Sequence, residues 1–390
     1  MTGKSNNRTI ERSNNLYVHF PFCRRKCSYC ALYSRTGVSQ EERDAYARRL
    51  AHEIGSLGST GPLGSGSNST LLGATGSLEA GYSLTLSDSN STLIDSKLKT
   101  IYFGGGTPAL CDLSLLAPAL RPLCGEETEF TVELHPLDVT TDKLNQLKDL
   151  GVNRISMGVQ SLNDAVLADM GRGYTVDEAA RAFALVKKHF DNAGIDLIVG
   201  YPGEDKSKSG AEVEQWREKF FALNGWGLKH CSVYSLQNER GLKGVPDDDW
   251  TLDRLRHSAE CLRAMGLERY EISNYAVPGY ECRHNLAVWR GEDYIGLGDG
   301  ACGRLGLKRT KFGKEETVTP EFDAKERTLF RLRTREGLDL RNLSNLSNVS
   351  NLSNVLATQV AAGLLTKTGD VYRLTDRGTE VCDSILAELV

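Results

Sequence analysis

The alternation of apolar and polar positions divides the chain into short strand-like runs separated by longer helical ones. The first run is Leu16-Tyr17-Val18-His19-Phe20, ended by Pro21. From Lys99 onward strands and helices alternate, with strand patterns at residues 100–103, 129–133, 154–159, 195–199, 230–235 and 268–273. Helical patterns lie between them, at 141–150, 176–190, 213–223 and 252–265. An earlier helix is expected at 41–54, with Ser39 as its cap and Glu42 three residues on, as in a capping box. About seven strands alternating with helices favour parallel strands joined by crossover helices, in a barrel or a doubly wound sheet.

Two stretches break this pattern. Residues 55–96 are rich in Gly, Ser, Asn and Thr and are read as a mobile low-complexity insertion. Residues 342–355 repeat Asn-Leu/Val-Ser. A three-residue repeat drifts by roughly 60° per unit around a helix, so a loop or a distorted helix is expected there. Beyond it come a helix at 355–365, a strand at 371–374 and a final helix, the outline of a small winged-helix-type module. Its weak basic character points to packing rather than to DNA binding. Residues 321–333 form a charged helix before it.

The chain has 390 residues, which suits two domains or one large barrel. The expected division is a disordered tail at 1–15, a barrel at 16–305 and a C-terminal domain at 306–390. No apolar run is long enough to cross a membrane. The formal net charge of −4 argues against a broad nucleic-acid surface. The polar start of the chain lacks the apolar stretch of a secretory signal. Ten cysteines then point to a reducing compartment, the cytoplasm, and to metal or redox chemistry.

Seven of the cysteines are scattered and are expected in the core. The other three fall together in His19-Phe20-Pro21-Phe22-Cys23-Arg24-Arg25-Lys26-Cys27-Ser28-Tyr29-Cys30. Three thiolates on one compact loop suit a [4Fe–4S] cube with its fourth iron left open. Structural zinc is the alternative, with His19 as a possible fourth ligand. The neighbours Arg24, Arg25 and Lys26 are expected to lower the thiol pKa values.

Cys23-x3-Cys27-x2-Cys30, with Tyr29 before the last cysteine, resembles the signature of the radical S-adenosylmethionine (SAM) superfamily. Tyr17-Val18-His19-Phe20-Pro21-Phe22, Gly104-Gly105-Gly106-Thr107-Pro108, Gly158-Val159-Gln160-Ser161 and Tyr270-Glu271-Ile272-Ser273-Asn274-Tyr275 resemble, in order, the oxygen-independent coproporphyrinogen oxidase family. The resemblance implies an α/β fold: an incomplete (βα)6-type TIM barrel with a small C-terminal α/β winged-helix-like domain. It implies a [4Fe–4S] cluster on Cys23, Cys27 and Cys30. It implies SAM at Tyr17, Tyr29, Gly104, Gly105, Gly106, Thr107, Glu133, Gln160, Arg172 and Asp196. The glycines would let backbone approach the methionyl end.

Within that family two functions compete. One is oxidative decarboxylation of coproporphyrinogen; the other is binding haem and passing it to a haem-accepting protein. The oxidase branch has a fourth cysteine two residues after the third, where this chain has Leu32. That departure favours the haem-chaperone branch. So does His284-Asn285-Leu286-Ala287-Val288-Trp289, which resembles that branch's His-Asn-x-x-Tyr-Trp motif with Val288 in place of Tyr. His284, Asn285, Trp289 and Cys302 are therefore the expected haem residues. Cys302 stands where the family usually has histidine. The implied partners are haem, haem-accepting proteins and an electron donor such as a flavodoxin or ferredoxin. No nucleic acid and no membrane-spanning segment are expected.

Overall fold

The computed structural model describes residues 12–58, 93–94, 96–204, 210–343 and 349–389. Six strands run parallel in chain order: β1 (Asn15–Phe20), β2 (Thr100–Gly105), β3 (Glu129–Leu134), β4 (Arg154–Gln160), β5 (Asn192–Val199) and β6 (His230–Ser235). Helices α1 (Gln40–Leu57), α2 (Ala117–Leu120), α3 (Thr141–Leu150), α4 (Asp164–Met170), α5 (Val176–His189) and α6 (Gly210–Ala222) lie in the crossovers, and α7 (Asp248–Ala264) follows β6. Beyond β6 come β7 (Glu268–Arg269), β8 (Asn274–Ala276), α8 (Arg283–Trp289) and β9 (Ile295–Leu297). β9 adds parallel to β1, while β8 adds antiparallel to β6 and β7 to β8. The sheet order is β7-β8-β6-β5-β4-β3-β2-β1-β9, an α/β sheet of the incomplete six-unit barrel type.

The strands alternate with period two, and each face has its own chemistry. Leu16, Val18 and Phe20 of β1 and Ile101 and Phe103 of β2 are fully buried in the main core. The opposite face carries Tyr17, Tyr102, Glu133, Ser156, Asp196 and Ser232, which hydrogen-bond or stack on one another inside the barrel. A strand buried on both sides would be continuously apolar. The inner face here is polar because it serves a site.

Helix ends follow their local signals. Ser39 and Glu42 form the capping box of α1, and Thr175 and Glu178 form another at α5. Gly151 closes α3 at φ 96°, a conformation glycine adopts without steric cost.

Several sequence expectations change. The run at 268–273 is not a further parallel strand; its first two residues form β7 of a short antiparallel hairpin with β8. Helix α1 runs on to Leu57, and Leu93 and Ile94 are buried. Leu93 N donates to Leu57 O at 3.3 Å, so the two ends of the insertion meet. Residues 59–92, its bulk, lie outside the described residues. Of the expected N-terminal tail, residues 1–11 also lie outside them, whereas Ser13 and Asn15 are buried and bonded to Asp293 O.

A three-stranded meander, β10 (Cys302–Leu305), β11 (Lys308–Lys311) and β12 (Lys314–Thr317), spans the expected domain boundary at 305/306. A second core begins with helix α9 (Pro320–Leu332) and gathers Leu332, Leu338, Leu356, Leu365, Tyr372 and Ile385. It unites β13 (Leu338–Asp339), α10 (Val349–Ala361), β14 (Leu365–Thr368), β15 (Val371–Leu374), α11 (Asp376–Glu380) and α12 (Cys382–Glu388). The end of the Asn-Leu/Val-Ser repeat enters α10 as regular helix, while residues 344–348 lie outside the described residues. Arg256 of α7 pairs with Glu380 at 2.6 Å and ties this unit to the barrel.

Candidate functional site

The cysteine loop leaves the carboxyl end of β1 and is closed at its base by Cys23 N donating to Arg35 O at 2.9 Å. Cys23, Cys27 and Cys30 are free thiols, half-buried, and line one cavity of about 760 Å³. The cavity opens at the carboxyl ends of β2 to β6, where parallel barrels assemble their sites. Among the described residues no three Cys, His, Asp or Glu side chains come close enough to share one metal ion. Three thiols on one loop, all lining one cavity, are the donor set that an iron–sulfur cube with an open fourth iron takes.

His19 is not a spare ligand. Its ring nitrogens engage the Tyr17 hydroxyl at 3.0 Å and the Tyr33 carbonyl at 2.9 Å, and burial pushes its pKa down. The basic neighbours do not depress the Cys23 thiol. Arg24 Nε donates to Asp138 at 3.0 Å and Lys26 Nζ to Ser34 Oγ at 2.8 Å. Burial instead raises the Cys23 pKa.

The three glycines at the end of β2 are explained within the fold. A Cβ on Gly104 would lie 3.0 Å from the Glu133 carboxylate, and one on Gly105 2.4 Å from the His19 ring. A Cβ on Gly106 would lie 2.5 Å from Phe22 O and 2.7 Å from Phe20 O. Gly105 also has φ 101°. The turn thus lets the cysteine loop pack directly on β2. Gly105, Gly106 and Thr107 line the cavity, and the Thr107 hydroxyl faces the Cys23 thiol.

Five further expected residues meet these across the cavity. Glu133 accepts from Tyr102 Oη at 2.8 Å and from Gly105 N at 3.1 Å. Burial, with the nearby Asp196 carboxylate, raises its pKa to about 7. Asp196 accepts from Ser156 Oγ at 3.0 Å, and burial raises its pKa too. Gln160 follows a bulge in β4 and sits at φ 75°, a strained position for a residue with a side chain. Arg172 donates to Gly158 O at 2.7 Å, to Tyr174 Oη at 2.9 Å and to Cys27 Sγ at 3.4 Å. Tyr29 Oη lies 3.5 Å from the same guanidinium. Tyr17 does not line the cavity; it lies below it beside Tyr102.

The expected haem residues are not brought together at this cavity, and none of the four lines it. His284 is buried among the first residues of the strands, its Nδ1 2.8 Å from Thr100 Oγ1. Burial and the Arg154 charge lower its pKa to about 3. Its backbone N–H and that of Arg283 donate to Glu129 at 3.1 and 3.0 Å, which fixes the start of α8. Trp289 packs edge-on against Phe330 of α9. Asn285 is half-buried on the same helix. Cys302 begins β10, half-buried, and burial raises its pKa.

Other residues at the site carry no motif of their own. Tyr102 is legible only as an inward position of β2, and Tyr174 only through its bond to Arg172. His135 lines the cavity, and burial with Arg172 and Arg24 lowers its pKa to about 3. Leu137 and Phe312, at the mouth, follow no pattern in the sequence.

Comparison with known proteins adds a family context. The family model for the radical SAM superfamily matches residues 17–209. The chain is 31% identical to the "Heme chaperone HemW" of Escherichia coli (strain K12), covering 75% of this chain and 70% of that protein. The protein of the same name in Lactococcus lactis is 29% identical, with 84% of each chain covered. A mouse protein, "Radical S-adenosyl methionine domain-containing protein 1, mitochondrial", is 29% identical over 92% of this chain and 74% of its own length. Among solved structures, "Coproporphyrinogen III oxidase (HemN) from Escherichia coli is a Radical SAM enzyme" superposes with a TM-score of 0.73, covering 98% of this chain and 91% of that one, at 19% identity. That likeness is one of fold.

Proposed function

The chain belongs to the radical SAM superfamily and, within it, to the HemW family, and from that membership we propose that it is a haem carrier, binding haem and delivering it to haem-accepting proteins. The observation that carries this reading over the oxidase is the 31% identity to a heme chaperone along most of both chains. Leu32, at the position of the oxidase branch's fourth cysteine, adds support.

In this reading Cys23, Cys27 and Cys30 hold a [4Fe–4S] cluster and the adjoining cavity takes SAM. When bound, that pair supplies one-electron reduction of a sulfonium. Glu133, fixed by Tyr102 and Gly105, presents its carboxylate to the amino group of SAM. Arg172 presents its guanidinium to the SAM carboxylate, and Asp196 faces the ribose hydroxyls. Gln160 holds its strained backbone so that its amide borders the same space. Burial beneath the loop excludes water from the inner wall. A low-potential electron donor of the flavodoxin or ferredoxin class and a haem-accepting protein are the implied partners. Ten free thiols suit a reducing compartment such as the cytoplasm.

The test is anoxic reconstitution with iron and sulfide, followed by separate incubation with haem and with coproporphyrinogen. The carrier reading expects a cubane EPR signal on reduction, a retained Soret band after gel filtration, and no decarboxylated product. Protoporphyrinogen formation would establish the oxidase instead.

A further inference from the structure

Among the described residues few large apolar side chains are exposed, and three of them meet at one place. Leu32, Leu137 and Phe312 are exposed by 54%, 47% and 56%, and all three line the cysteine cavity at its mouth. They come from three separate segments: the cysteine loop, the turn after β3 and the β11–β12 hairpin. Single exposed apolar residues need no explanation, but their convergence on one opening does.

Phe312 is the most informative of them. Lys311 pairs with Lys314, so Phe312 and Gly313 form a two-residue hairpin loop. Their φ values are 50° and 75°. Such a loop favours Asn-Gly or Gly-Gly, because a Cβ at positive φ is strained. Phenylalanine is therefore placed against its backbone preference and against its solubility at once. Residues held in this way cluster at ligand clamps.

The rim also carries a cation. Arg24 is held by Asp138, and Lys26 by Ser34. Arg25 makes no ion pair with any described residue; its Nε would lie 3.1 Å from a Cβ on Gly171. It lines the same cavity and is exposed.

We propose that this rim is the seat of the haem: the flat apolar macrocycle lies across the mouth on Phe312, Leu32 and Leu137, with a propionate directed to Arg25. The inference rests on the carrier reading and names its site. The space beneath, about 760 Å³, falls in the range of ligand cavities; in the carrier reading the cluster and SAM fill it, and the macrocycle is met outside them. The cargo then sits over the cysteine loop and away from the buried His284.

The test titrates haem into reconstituted holoprotein and follows the Soret band, using wild type, Phe312→Gly, Leu32→Asp, Arg25→Glu and the exposed control Phe322→Asp on α9. Phe312→Gly removes the strained side chain, so it should melt at a higher temperature than wild type and yet bind haem at least tenfold more weakly. Leu32→Asp should weaken binding as much, and Arg25→Glu should weaken it severalfold. Phe322→Asp should bind as wild type does. Unchanged cluster absorbance in each variant reports an intact site. A wild type that retains no haem overturns the carrier reading and the seat with it. A wild type that binds haem while Phe312→Gly and Leu32→Asp bind equally well overturns the seat alone.

Discussion

The guanidinium of Arg172 donates an N–H to the sulfur of Cys27 at 3.4 Å, although 145 residues separate them. The same guanidinium is fixed by Gly158 O and Tyr174 Oη. The cysteine loop is thereby held against β4, and Cys27, one of the three thiols proposed to hold the cluster, has a hydrogen bond aimed at its sulfur.

Donors to cluster sulfurs stabilise the reduced, more negative state and raise its potential. Arg172→Met should therefore lower the midpoint potential of the reconstituted cluster by tens of millivolts in an EPR-monitored redox titration. An unchanged potential with an intact cluster signal would mean that the contact to Cys27 has no electronic role.

Glu133 sets a pH dependence. Its pKa is raised to about 7 in the folded protein, above the usual 4.5, chiefly by burial. The unfolded chain therefore loses this proton first, and stability falls as pH rises from about 4.5 to 7. Without cofactors, Glu133→Gln should match wild type near pH 5 and exceed it near pH 8 by about 1–3 kcal/mol in urea denaturation. The raised Asp196 carboxyl contributes with the same sign.

Gly106 tests the packing of the two loops. A Cβ there would lie 2.5 Å from Phe22 O, which is backbone and cannot swing aside. Gly106→Ala should cost about 1–3 kcal/mol of stability and sharply reduce the iron retained after anoxic desalting. Retention equal to wild type would show that the cysteine loop can shift without losing its cluster.

His284 gives the opposite pH sign. Its folded pKa is lowered to about 3 by burial and Arg154, below the usual 6.5. Its contribution is present above pH 6.5 and lost as pH falls toward 3. The stability advantage of wild type over His284→Gln should shrink below pH 6.5 by up to about 1.4 kcal/mol per pH unit. If haem sits at the rim, the Soret band of that variant is unchanged.

Much of this was legible in the sequence because it is local. Three cysteines within eight residues must share one loop, whatever the fold. The strand runs at 100–103 and 154–159 and the caps at Ser39 and Gly151 depend on neighbours a few residues away, and chain connectivity holds those contacts together. The expected run at 268–273 failed because a short alternating pattern does not state whether a strand pairs parallel or turns back on itself.

The sequence by itself therefore determined the order of elements and the thiol triad. Tertiary structure decided what each distant group does. Gly105 is a glycine because His19 lies against it, the Glu133 carboxyl is raised because it is buried with Asp196 beside it, and His284 is committed to Thr100 rather than free for a ligand. Phe312 gains meaning only because its hairpin closes over the cysteine cavity. These relationships depend on strand register and burial between segments far apart in the chain, and neither residue type nor spacing encodes how closely two such segments approach.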